Sequence, residues 1–85
     1  MKNFTYTIKD EIGIHARPAG LLAKEVKKYQ SKITITKGEK TVEAKKLMAV
    51  MGMGVKCGDE VVVSAEGADE EQAIQEMKLF FESNL

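Results

Sequence analysis

Several residue types that anchor small folds are almost missing from this chain of 85 residues, which has one cysteine, one proline, one histidine and no tryptophan. A lone Cys57 excludes an internal disulfide, and one Cys with one His cannot furnish a structural zinc site, so no metal and no cofactor are expected. A net excess of charge of either sign is missing too. Thirteen basic and thirteen acidic side chains cancel, without the global positive bias of a nucleic-acid binder, and no nucleic acid partner is expected. No apolar run approaches membrane-spanning length, and Met1-Lys2-Asn3-Phe4 enters an alternating pattern at once with no apolar leader core. The expectation is a monomer of the cytoplasm with no membrane insertion. A chain this short buries roughly 60 to 65% of its unfolded surface. That suits one domain, residues 1–85, with one modest core and no enclosed substrate cavity.

The patterning reads as alternating short strands and helices. Phe4, Tyr6 and Ile8 alternate with threonines, as in a half-buried strand. From Ala19 the apolar residues recur as Ala19, Leu22, Ala23, Val26 and Tyr29, the spacing of a helix with one buried face. Gly20, Leu21 and Lys24 project away from that stripe, which makes Leu21 part of a candidate contact patch. Ile33 and Ile35 mark a second strand, Lys37-Gly38-Glu39-Lys40 a hairpin turn, and Thr41 to Glu43 a third strand. Residues 46 to 53 read as a short helical or turn-rich segment with more large apolar side chains than one buried face can hold, so some of Leu47, Met48 and Met51 should face solvent. Lys56 to Asp59 is a turn in which Cys57 is an exposed thiol with no catalytic part. Val61 to Ala65 is a fourth strand. Asp69 with Gln72 forms a candidate helix-entry box, and Ala73, Ile74, Met77, Phe80 and Phe81 carry the last helical stripe. Strands with one apolar face and two long amphipathic helices predict a two-layer α+β sandwich, helices on one side of an antiparallel sheet.

Chemistry concentrates in Gly13-Ile14-His15-Ala16-Arg17-Pro18-Ala19-Gly20, where the only histidine and the only proline lie three apart. The fixed φ of Pro18 suits a first helical turn, which puts a helix start at residues 16 to 18 and His15 on its lip. Unpaired amides and the positive end of the dipole attract an anion such as phosphate there. Arg17 adds a planar guanidinium suited to phosphoryl oxygens. The plainer reading of such a histidine is a cap or a surface residue. Lysines bunch at Lys24, Lys27 and Lys28 and again at Lys37, Lys40, Lys45 and Lys46, which reads either as solvated faces or as a positive docking surface for an acidic partner.

The segment Gly13 to Ala19 resembles the active-site segment of the HPr family, histidine-containing phosphocarriers of the phosphoenolpyruvate:sugar phosphotransferase system. Lys45-Lys46-Leu47-Met48-Ala49-Val50-Met51-Gly52-Met53-Gly54-Val55 resembles the family's second signature. Cys57 to Val61 and Ala65 to Glu70 are similar to its C-terminal third, so the likeness is collinear over essentially the whole chain. It implies an open-faced βαββαβα sandwich with sheet order 1-4-2-3. It also implies that His15 accepts a phosphoryl group on Nδ1, with Arg17 and the amides of Ala16 and Arg17 contacting the phosphoryl oxygens. The donor would be enzyme I and the acceptors the IIA domains of sugar permeases. Docking would fall on Gly20, Leu21, Lys24, Lys27, Lys46, Leu47, Met48 and Met51. Such a protein is a carrier with a phosphohistidine intermediate rather than a stand-alone enzyme.

Two positions depart from the family pattern. Gly20 replaces a larger small residue. Lys46 stands where homologues of low-GC Gram-positive bacteria usually carry a serine that a kinase phosphorylates for catabolite repression. Lysine has no hydroxyl and reverses the charge, which implies a carrier without that switch, and Ser31, Ser64 and Ser83 lie in the wrong contexts to replace it. Two rivals stay open at this level: a regulatory paralogue that binds partners with His15 idle, and, more remotely, a histidine phosphatase. The latter would need a general acid and further basic residues.

Overall fold

The computed structural model describes residues 1–85. The elements are β1 (Lys2–Thr7), α1 (Ala16–Val26), β2 (Lys32–Lys37), β3 (Lys40–Glu43), α2 (Leu47–Gly52), β4 (Glu60–Glu66) and α3 (Glu70–Asn84). Period-two alternation makes each strand two-faced, and the register sorts the faces. Phe4 lies opposite Val63, Tyr6 opposite Val61, Ile33 opposite Ala65 and Ile35 opposite Val63, so the apolar rows coincide. The offset rows pair Thr5 and Thr36 with Val62, and Asn3 and Thr34 with Ser64. That second face is largely hydroxylic and needs no cover. All pairs are antiparallel and the sheet order is β1-β4-β2-β3.

The core lies between the apolar face and the helices. Ala19, Leu22 and Val26 of α1 and Ala73, Met77 and Phe81 of α3 are buried against Ile33, Ile35, Val61, Val63 and Ala65. Phe81 is the pivot of α3. Its ring meets Phe4 and Tyr6 edge-on, with centroids 5.8 and 5.6 Å away, a geometry favoured by the ring quadrupoles. Tyr29 falls beyond the end of α1, where its hydroxyl lies 2.9 Å from a Glu25 oxygen and 2.7 Å from a Glu76 oxygen. One phenolic proton thus ties α1 to α3. Burial and the two carboxylates push the Tyr29 pKa well above the usual phenol range.

The helix-entry box expected at Asp69 and Gln72 does not form. The Asp69 side chain makes no capping bond to α3. Its carboxylate accepts the Gln30 and Ser31 amides, each at 2.9 Å, and the Ser31 hydroxyl. Gln72 donates instead to Glu76 at 2.8 Å. A partner 38 residues away outcompetes the local cap, because the β2 entry brings three donors against the head of α3.

Candidate functional site

The loop carrying the histidine is fixed before the helix begins. Gly13 has φ +82°, and a Cβ there would strike the Val55 carbonyl oxygen and lie 2.6 Å from the Lys56 Cα. Only glycine allows that approach. The Gly13 amide donates to the Asp10 carbonyl and the Ile14 amide to the Val55 carbonyl, both at 3.0 Å, and Ile14 is buried. His15 follows in an extended conformation as the N-cap of α1, half-buried, with no capping bond from its side chain. The ring is left uncommitted.

The helix begins at Ala16, with Pro18 its third residue. The first internal bond runs from the Ala19 amide to the His15 carbonyl at 3.0 Å. Pro18 has no N–H, so the amides of Ala16 and Arg17 are the two donors at the helix head without an intrahelical acceptor. Arg17 is exposed and no carboxylate lies within ion-pair distance of it. His15, Arg17, Pro18 and Leu21 line a hollow of about 180 Å³ together with Asp10 and with Ser83 and Asn84 from the last turn of α3. Those last three residues carry no signal in the sequence. Only the docking of α3 on β1 brings residues 83 and 84 beside residue 15.

The side chains expected to face solvent on α1 and α2 do so in part. Leu21 is 42% exposed, Leu47 37% and Met48 77%, on helices α1 and α2 that pack on each other. Gly20 is half-exposed, and Lys24 and Lys27 are exposed with no carboxylate partner. Met51 is half-buried and packs against the core, beside buried Val50 and Met53. The positive surface is also smaller than the lysine count suggests. Lys37 binds Asp59 at 2.9 Å and the Gly54 carbonyl at 3.2 Å, and Lys40 reaches the Gly52 carbonyl at 3.5 Å, so both tie down the end of α2. Lys45 and Lys46 share Glu43 at 3.7 and 3.3 Å, and Lys28 pairs with Glu25 at 3.0 Å. Hydrogen bonding and charge from Lys46, aided by Lys45 and Lys32, hold the Glu43 carboxyl below its usual range. Arg17 in the hollow, and Lys24 and Lys27 further along and at the end of α1, have no carboxylate within ion-pair distance.

An open-faced α+β sandwich that shows a histidine at a helix head, beside an unpaired arginine and exposed Leu and Met side chains, is built for anion capture on an accessible surface. The family model described as the PTS HPr component phosphorylation site matches residues 2–83. The phosphocarrier protein HPr of Mycoplasma capricolum is 47% identical over 78 residues, covering 92% of this chain and 88% of that one. Among solved structures, the histidine-containing phosphocarrier reported in a study of Mycoplasma divergence has 46% identity and a TM-score of 0.89, covering 93% and 90% of the two chains. HPr-C-His of Thermoanaerobacter tengcongensis has 44% identity and a TM-score of 0.92, covering 98% and 93%. The chain belongs to the HPr family, the phosphohistidine carriers of the phosphotransferase system.

Proposed function

We propose that His15 takes a phosphoryl group from the phosphohistidine of enzyme I and passes it to the IIA domains of sugar permeases. The observation that carries this reading is the shared hollow. An imidazole with no capping bond lies beside an unpaired Arg17, at the helix head where the amides of Ala16 and Arg17 lack acceptors. A ring nitrogen lone pair, Nδ1 by the family likeness, attacks phosphorus in line. The donor P–N bond breaks and its electron pair returns to the donor imidazole. Arg17 and the two amides meet the phosphoryl oxygens and offset their charge. Onward transfer repeats the step in reverse roles.

A carrier has to engage donor and acceptor in turn and let each go. The exposed patch of Leu21, Leu47 and Met48, with Gly20 and Met51 at its edge and Lys24, Lys27 and Lys46 around it, supplies a modest, adaptable docking face. All the named chemistry lies within one chain, which supports action as a monomer; dependence on phosphoenolpyruvate as the primary donor supports a cytoplasmic setting. Lys46 carries no hydroxyl and its ammonium is paired with Glu43, so this carrier works without seryl phosphorylation at that position.

The test is to incubate the protein with enzyme I, Mg²⁺ and phosphoenolpyruvate and to weigh it intact. Gain of one phosphoryl group that is acid-labile, alkali-stable and abolished by His15→Ala is the expected result. No gain overturns the reading and leaves a regulator with an idle histidine.

A further inference from the structure

Among the residues lining the hollow with His15 and Arg17 is an aspartate that the phosphoryl chemistry has not used. Asp10 is half-buried and lines the same hollow as His15. Its surroundings hold it there. The Asp10 amide donates to the Leu85 carbonyl at 2.7 Å, its carbonyl accepts the Gly13 amide at 3.0 Å, and its Oδ1 accepts the Ile12 amide at 2.9 Å in an Asx turn. The charge has no neutralising partner, since no lysine, arginine or histidine nitrogen lies within ion-pair distance. An anchored, uncompensated negative charge in so small a hollow has to repel a phosphoryl dianion arriving on His15 in the same hollow.

We infer that Asp10 sets the phosphoryl-transfer potential of this carrier: its fixed carboxylate disfavours the phosphorylated state and thereby favours release of the group to an acceptor. The inference rests on His15 being the phosphoryl site. Arg17 and the helix-head amides attract the group, and attraction alone would make a trap rather than a relay. Asp10 supplies the opposing term. The covalent step is unchanged, with one P–N bond formed and one broken. Asp10 neither donates nor accepts a proton and acts only through its charge on the equilibrium between phosphorylated and free protein.

Asp10→Asn separates charge from structure, because an amide Oδ1 still accepts the Ile12 amide while the charge is gone. Isotope-labelled wild type and unlabelled variant are mixed in one tube with enzyme I, Mg²⁺ and limiting phosphoenolpyruvate, then weighed intact at equilibrium. Both proteins draw on one donor pool, so each one's ratio of phosphorylated to free form reports relative transfer potential. The variant's ratio is expected to exceed that of the wild type by about three- to tenfold, and the gap should narrow as salt is raised. Asp10→Ala should show the same rise even though its turn is weakened. Equal ratios for wild type and Asp10→Asn, or a change confined to Asp10→Ala, overturn the inference and leave Asp10 a turn residue. Absence of phosphoryl groups on the wild type defeats the His15 reading instead.

Discussion

Asp69 grips Ser31 through both its amide, at 2.9 Å, and its hydroxyl, and so fastens the entry of β2 to the head of α3. The contact is close because Gly67 has no side chain; a Cβ there would lie 2.7 Å from the Ser31 Cα. Ser31 is buried, so losing the carboxylate leaves its donors without partners. Asp69→Ala is expected to lower the melting temperature by several degrees, with Asp69→Asn intermediate. The same carboxyl makes a pH signature. The Ser31 hydroxyl first, then the Gln30 and Ser31 amides, hold Asp69 below its usual range, and Lys37 with the Lys56 amide does the same for Asp59. Groups depressed on folding add stability above the unfolded carboxylate value of about pH 4 and lose it as pH falls through their lower folded values. Thermal midpoints should therefore fall on acidification below about pH 4, and Asp69→Asn should flatten that fall. A wild type equally stable at pH 2 and pH 6 contradicts the assignment.

What the sequence made legible was periodic. Strands announced by Phe4 and Tyr6, by Ile33 and Ile35 and by Val61 to Ala65, and the stripe from Ala19 to Val26, appear where the alternation put them. Such patterns record burial, which each residue experiences singly. Strand order is a relation between distant segments, and it entered through the family likeness. Pairwise choices stayed hidden for the same reason: Asp69 took Ser31 over Gln72, Lys37 took Asp59 over solvent, and Asp10, Ser83 and Asn84 met His15 only through the tertiary fold.

Gly13→Ala tests whether the histidine loop depends on its close approach to Val55 and Lys56. An alanine at φ +82° is strained, and its methyl group would collide with backbone. A cost of roughly 2 kcal/mol is expected. Initial phosphorylation rates should fall with it, because relieving the clash moves residue 15 off the helix head. Denaturant melts and initial rates check both. Wild-type stability and rate together would contradict the geometry.

Met48 is 77% exposed and supports no core contact of note. Met48→Asp should leave the thermal midpoint within a degree or two yet raise the KM for this protein in enzyme I turnover by about tenfold, the scale of one apolar anchor lost from an interface. A large loss of stability with unchanged KM would move Met48 from docking to folding.

Lys46 occupies the N-cap of α2 and makes no capping bond. Serine is a favoured cap, so Lys46→Ser should raise stability by about 0.5–1 kcal/mol, less whatever the exposed pair with Glu43 contributed. A seryl kinase with ATP should add a stable phosphate to this variant and none to the wild type. Stable phosphate on the wild-type chain would contradict a carrier without the seryl switch.

The most direct test follows the amide and imidazole nitrogens of ¹⁵N-labelled protein by NMR while enzyme I and phosphoenolpyruvate load it. A phosphoryl group on His15, held by the head of α1, should shift one ring nitrogen of residue 15 and move the amide protons of Ala16 and Arg17 downfield more than any others. Loading that leaves those three signals in place, with the largest changes elsewhere on the chain, would contradict the account.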